Sequence, residues 1–336
     1  MLRIFHDTRF QFVRHWRIAA VATVAFIVIG IGAFAVTGGV RYSIEFTGGT
    51  LMQVRFQQPP DVAEMRSTLS DAGIGDAEIT QYGSNVDYSI RAQDASQVEA
   101  QAAGAETIGA KIQAALSEKY GADGFQVILS EAVGPRVGSE LRSGAAKAML
   151  IASLFTLLYL AVRFDWRFGL AAVLATAHDI LITFAFIKLM NLEVSLTIVA
   201  AILTLLGYSA NDTIIIFDRV RENLRKQRKG ESMHEVLDRS INETLPRSVM
   251  THATTMAATI ALLIFAGDVI RPFAWVMTFG VFIATFSSMY VAGPLLLWIE
   301  HRYPRSATEA AGRAVRAGGD TPPPTRTRST EKIAAR

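Results

Sequence analysis

Six stretches of this chain are too apolar and too long for the buried elements of an ordinary water-soluble core. They are residues 18–36, 144–162, 168–190, 197–217, 248–267 and 273–299. An α-helix rising 1.5 Å per residue needs about 20 residues to cross the roughly 30 Å hydrocarbon layer of a bilayer. Inside lipid every backbone N–H and C=O must be satisfied within the structure itself, so such runs fold as helices. The fold class expected is therefore membrane α-helical, a six-span bundle. Composition agrees: 51% of residues are apolar, a high share for a soluble domain. The chain has no cysteine, which excludes disulfides, iron–sulfur clusters and thiolate metal sites. Ala33-Phe34-Ala35 imitates a signal-peptide cleavage site, but the apolar stretch before it is long, so an uncleaved anchor is expected.

Short flanks rich in Lys and Arg stay in the cytoplasm. Arg3, Arg9, Arg14 and Arg17 precede the first span, and Arg163 and Arg167 bracket the turn between the second and third. Arg219, Arg221, Arg225, Lys226, Arg228 and Lys229 follow the fourth, and Arg302 and Arg305 follow the sixth. The alternate loops are poor in basic residues, with none at 191–196 and only Arg271 at 268–272. These flanks agree on an even number of spans with residues 1–17 and 300–336 in the cytoplasm.

Residues 37–143 then form a polar domain on the outer, periplasmic face. Val40–Phe46 and Thr50–Phe56 are expected as strands joined in a hairpin at Gly48-Gly49. Residues 60–72 have helical spacing, with Val62, Met65 and Leu69 on one face and Asp61 as N-cap. Ala77–Tyr82 and Asp87–Arg91 read as strands, Ala95–Tyr120 as a long Ala-rich helix and Phe125–Leu129 as a last strand. The order predicts a small ferredoxin-like α+β sandwich with a docking or substrate-touching role. Residues 218–247 are a charged connector. Val220, Leu224, Leu237, Ile241 and Leu245 recur at helical spacing around Gly230, which predicts two short amphipathic helices along the membrane surface. The tail from Ala307, with Pro322-Pro323-Pro324, has the composition of a disordered segment.

Asp212 lies inside the fourth span. A carboxylate there costs several kcal/mol unless it is protonated or paired, which points to proton or ion handling; the plainer alternative is a protonated Asp gluing two helices. On a helix it shares a face with Tyr208 and Ser209, beside Asn211 and Thr213, and Gly207 would admit a neighbouring helix. His178 and Asp179 lie mid-way along the third span. As sequence neighbours they need not touch, and one of them is expected to meet Asp212 or Asn211, as a relay or as a structural network. Arg247 opens the fifth span and is followed by Thr251, Thr254, Thr255 and Thr259. It either snorkels to the interface or stands as a fixed cation facing Asp212; His252 reads as structural. Gly280, Ala284, Ser288 and Ala292 make a small-residue packing ridge on the sixth span. No phosphate loop, nucleophile–base arrangement or metal-ligand spacing is present, so neither an enzyme, a metal nor a cofactor is expected.

Several motifs, in order, resemble the SecD/SecF family of bacterial protein-export membrane proteins. They are Glu45-Phe46-Thr47-Gly48-Gly49-Thr50, Val133-Gly134-Pro135, Arg163-Phe164-Asp165-Trp166-Arg167-Phe168, Ala177-His178-Asp179, Gly207-Tyr208-Ser209-Ala210-Asn211-Asp212 and Phe217-Asp218-Arg219-Val220-Arg221-Glu222-Asn223. The resemblance covers Ile18 to Pro294, and Glu45 stands where similar sequences usually have Asp. It implies a bundle of resistance-nodulation-division type, working with SecD, the SecYEG channel and YajC in the bacterial inner membrane. The implied task is to draw unfolded proteins to the periplasm using the proton gradient. Asp212 matches the family's intramembrane acid and Arg247 its basic residue at the start of the fifth span. Two other readings are a proton-coupled small-molecule exporter subunit and a structural scaffold for the translocation channel.

Overall fold

The computed structural model of the protein describes residues 8–92, 107–163, 165–227, 230–267 and 269–304. Six helical segments are long and apolar enough to cross a membrane. They are α1 (Trp16–Thr37), α5 (Pro135–Arg163), α6 (Trp166–Leu189), α7 (Leu196–Arg225), α8 (Met233–Phe265) and the pair α9 (Arg271–Tyr290) and α10 (Ala292–Arg302). About half of each apolar stretch is buried in α6 (50%), α7 (56%) and α9–α10 (56%), against 17%, 6% and 17% in α1, α5 and α8. The first set therefore forms the inner layer and the second wraps it. The sixth span is broken once: Pro294 has no N–H for the Tyr290 carbonyl, and the chain turns at Val291 (φ −114°, ψ −51°) between the two helices.

The connector differs from its expectation. α7 continues without interruption to Arg225, and α8 starts at Met233 behind a capping box of Ser232 and Glu235. The basic segment is thus a helical hairpin built from extended spans. Val220, Leu237, Ile241 and Leu245 bury their apolar face against Phe217, Leu296 and Ile299. Helical spacing was legible, but whether that face meets lipid or protein depends on what the preceding span packs against.

The domain between the first two spans is a four-stranded antiparallel sheet, β1 (Gly49–Phe56), β2 (Glu78–Gln81), β3 (Asp87–Ala92) and β4 (Phe125–Val133), in the order β2-β3-β1-β4. With α3 (Val62–Asp71) and α4 (Ile108–Tyr120) it has the βαββαβ arrangement of a ferredoxin-like sandwich. Met52, Val54, Phe56, Tyr88 and Ile90 alternate toward one sheet face and pack on Met65, Leu69, Ile112 and Leu116 of the two helices. Asp61 caps α3 by accepting from the Ala63 and Glu64 N–H groups. The first half of the expected Ala-rich helix and the tail after Ala307 lie outside the described residues.

The strand and hairpin expected at 40–49 do not form. Tyr42 makes one parallel bridge to Val194, and Ile44–Thr47 closes one helical turn, α2, ending at Gly48 (φ 76°) and Gly49 (φ 117°). Ile44 and Phe46 are buried, Phe46 among Ile187, Val194 and Ile198 at the end of the bundle. The alternation at 40–46 therefore records anchoring into the helices, and β1 pairs with β3 and β4 instead.

The two ends of the bundle are chemically unlike. At one end the Phe10 and Val13 N–H groups donate to Asn242 Oδ1 and Asp238 Oδ1 of α8, each at 2.9 Å. There Arg167 Nε donates to the Tyr303 carbonyl (2.9 Å), and Arg219 pairs with Glu243 (2.5 Å). All four basic flanks meet at this end. At the other, Val194 N–H donates to the Arg41 carbonyl (2.7 Å) and Ser43 N–H to that of Val194 (2.9 Å), tying the sheet domain to the α6–α7 turn.

Candidate functional site

The inner helices bring a line of polar groups into an otherwise apolar bundle. Ser209 and Asp212 lie one turn apart on the buried face of α7 and are 3% and 4% exposed. Asp212 is sixteen residues from the start of α7, about 24 Å along its axis. On α8, Ser248 and His252 repeat the one-turn spacing and are equally buried. Ser248 Oγ donates to Asp212 Oδ1 at 2.7 Å. Asp212 Oδ2 has no hydrogen-bond partner and faces His252 Nε2 at 4.0 Å. His252 Nδ1 is also buried without a partner. A buried, half-satisfied carboxyl beside an imidazole is an arrangement in which gain or loss of one proton changes the local forces strongly.

Across the α6–α7 contact, Ser209 Oγ donates to Asp179 Oδ2 at 2.5 Å, and Asp179 Oδ1 lies 2.9 Å from His178 Nδ1. His178 and Asp179 thus do touch: the imidazole folds back over its own neighbour, and adjacent positions on a helix converge when one side chain is long enough. The partner that Asp179 finds on α7 is Ser209, not Asp212 or Asn211. Beside this pair Thr176, Thr183 and Gly280 line a cavity of about 10 Å³, roughly the room for one water. Tyr208 lies near the outer edge of the line; its hydroxyl donates to Thr255 Oγ1 (3.3 Å), and its ring meets His252 edge-on at 5.2 Å.

Other candidates point away from the line. Arg247 is exposed on α8 and forms no ion pair with Asp212; its neighbour Ser248 takes the inward position. A helix turns 100° per residue, so only one of two consecutive positions can face the acid. Asn211 is exposed on α7, and nothing approaches within 4 Å of where a Gly207 side chain would begin. Gly207 therefore admits no helix among the described residues. Thr204, Gly207 and Asn211 on α7 and Arg247, Thr251 and Thr254 on α8 form an outward polar stripe at membrane depth. Gly280 is a true contact point: a Cβ there would stand 2.1 Å from Leu205 Cδ1. Ala284, Ser288 and Ala292 continue that ridge and are buried.

The Phe46–Thr50 motif and the adjoining Glu45 join the sheet domain to the helix that carries the acid. Glu45 Oε2 accepts from the Leu196 N–H, the first of α7, at 2.6 Å. Negative charge at this position complements the positive end of the helix dipole. Gly138 of α5 lies against the same turn, and a Cβ on it would come 2.9 Å from Gly48 N. Around this junction Arg91 pairs with Glu193 and Arg41 with Glu78.

Sequence reasoning passed over Ser248 and read His252 as structural. The signal was present in their four-residue spacing, which puts both on one face of α8, but the rotation of that face toward Asp212 is not a property of the segment. Among the described residues no group of three or more His, Asp or Glu side chains could hold a metal ion.

Comparison with known proteins adds the following. Residues 112–302 match the family model described as protein export membrane protein SecD/SecF, C-terminal, and residues 33–60 match that of the SecD/SecF GG motif. The chain is 68% identical over 336 residues to the protein translocase subunit SecF of Gemmatimonas aurantiaca, covering 100% of both. It is 40% identical over 299 residues to that of Desulfurispirillum indicum, covering 88% of this chain and 94% of the relative. The crystal structure of SecDF, a translocon-associated membrane protein from Thermus thermophilus, superposes with a TM-score of 0.76 at 35% identity. That match covers 90% of this chain and 40% of the SecDF chain.

Proposed function

The chain belongs to the SecD/SecF family of protein-export membrane proteins, a non-enzymatic component of protein translocation, and from this we propose that it couples proton movement at Asp212 to export through the SecYEG channel. In this reading the chain works with SecD in the inner membrane, where the basic end and both termini are cytoplasmic and the sheet domain is periplasmic. The observation that carries the reading is Asp212 itself. It is buried, holds one hydrogen bond from Ser248, and leaves its second oxygen open beside His252. A proton added there neutralises the carboxylate beside His252 and changes which helix contacts are favoured. Each charge crossing the full potential supplies about 2.3 kcal/mol per 100 mV, enough in ones and twos to shift a conformational equilibrium.

Two further features support it. The outward stripe of Asn211, Arg247 and small or hydroxyl residues is costly against lipid. It fits a second bundle of the same kind, so SecD covers this face and Arg247 acts across the joint site. The Glu45–Leu196 bond gives a mechanical route by which an axial shift of α7 reaches the outer domain. The test is Asp212→Asn in the assembled SecD-containing complex, with export into inverted vesicles measured with and without a proton gradient. The gradient-dependent part of export is expected to vanish while assembly persists; full gradient-dependent export by the variant would refute the reading.

A further inference from the structure

On the side of the bundle away from the polar stripe, a cavity of about 960 Å³ runs inward from the basic end. Gln227, His234, Glu300 and His301 ring its mouth, and Trp16, Thr23, Leu174, Leu295 and Trp298 form its walls. His178 is among the residues lining it. It lies twelve residues into α6, about 18 Å along the axis from the basic end. Its Nε2 is buried and has no hydrogen-bond partner among the described residues, while its Nδ1 is engaged with Asp179. This opening is thus lined by an imidazole with one unengaged nitrogen, and that imidazole is the outer member of the His178–Asp179–Ser209 line.

We infer that this cavity is a water-filled vestibule through which the His178–Asp179 pair exchanges protons with the aqueous phase at the basic end. The inference rests on the proton-coupled reading of Asp212 for its purpose, though not for its geometry. A proton taken from vestibule water by Nε2 makes the ring cationic, and the Nδ1 proton then passes to Asp179 Oδ1 over 2.9 Å. The reverse sequence releases a proton to the same water, so the pair serves either direction of flow. Asp179 is joined to Ser209, one helical turn from Asp212. The titratable groups that line the cavity with His178 are His234 from α8, Tyr290 from α9 and Glu300 and His301 from α10; α1 contributes none, and the α7 extension contributes the neutral Gln227. A chain of bilayer lipid is the competing occupant of so apolar a slot, and the two differ in whether a thiol placed in the wall can ionise.

The absence of native cysteine makes that test direct. Thr23→Cys and Leu295→Cys, in the full chain within its native membrane complex, are treated with a charged, membrane-impermeant thiosulfonate from each side in turn. Phe282→Cys, on an exposed apolar face, is the lipid-facing control. Thiols react as thiolates, so wall positions are expected to label from the basic side about a hundredfold faster than the control. Labelling as slow as the control overturns the vestibule. The second measurement is the ring-nitrogen resonance of His178, followed against bulk pH in the Asp212→Asn background. Titration of the ring with external pH supports the inference even if Asp212 proves irrelevant to export; a ring fixed in one state overturns it. Finally, His178→Gln is expected to reduce gradient-driven export about a hundredfold, the lower end of what loss of a placed proton carrier costs. Unchanged export by His178→Gln beside a dead Asp212→Asn refutes the vestibule's role and leaves the Asp212 reading intact.

Discussion

At the scale of single residues, the outcome turns on which side chains reach the buried acid. Arginine at position 247 and serine at 248 begin the same helix turn, yet only the serine faces Asp212. Ser248→Ala removes the one direct donor to a buried carboxyl, and such losses cost about 1–3 kcal/mol. A drop of that order is expected in the thermal unfolding of the detergent-solubilised complex, with Ser248→Thr restoring it. His252→Phe keeps a ring against Tyr208 and removes the polar neighbour of Asp212. It is expected to lose gradient-dependent export while unfolding within about 1 kcal/mol of the parent, because a ring of similar volume fills the site. Asp212 itself was legible in the sequence because acids are rare in apolar runs. Its partners were not, since hydroxyl and imidazole groups occur on every face of α8.

At the scale of elements, close approach between helices is set by individual glycines. The ridge led by Gly280 was visible from its four-residue spacing, but the less yielding contact is Gly30 of α1 against α6. A Cβ on Gly30 would lie 2.3 Å from Ala185 Cβ and 2.8 Å from its Cα, whereas at Gly280 it meets only the side chain of Leu205. Leucine can change rotamer; backbone cannot without moving the helix. Gly30→Ala is therefore expected to destabilise more than Gly280→Ala, the former by about 3 kcal/mol or above and the latter nearer 1, the upper and lower ends for overpacking. Unfolding of the two variants in the same detergent, read from helical signal, ranks them. An isolated glycine in an apolar run carries no such message by itself, because the neighbour that demands it comes from elsewhere in the chain.

At the scale of the whole molecule, a sheet domain and a helical bundle meet through a small polar junction, so the two need not respond alike to conditions. In the sheet, Asp87 accepts from Arg55 Nε (2.6 Å) and from Ser84 Oγ (2.7 Å). Chiefly the Arg55 hydrogen bond, and then that of Ser84, holds its carboxyl below the usual range. A carboxyl depressed in the folded state contributes stability above its unfolded pKa of about 3.9, and that contribution fades as pH falls through the lower, folded value. Hydrogen exchange in β1 and β3, taken relative to the intrinsic amide rate at each pH, is therefore expected to accelerate below about pH 4 while the inner helices stay protected. In Asp87→Asn the acid-dependent part of that acceleration should disappear; if it persists, another carboxyl is responsible.

The six spans, their alternating charged flanks and the acid in the fourth were fixed by local chemistry: length, hydropathy and the cost of charge in lipid act on each segment alone. So were most strands of the sheet domain, because period-two burial survives any placement of the sheet. Tertiary packing decided the rest. It made the stretch before Gly48 an anchor instead of a strand, drew the basic connector into two long helices, turned Arg247 outward, and set Ser248 and His252 against Asp212. Helix rotation and partner choice depend on surfaces contributed by distant segments, and no periodicity within one segment encodes them.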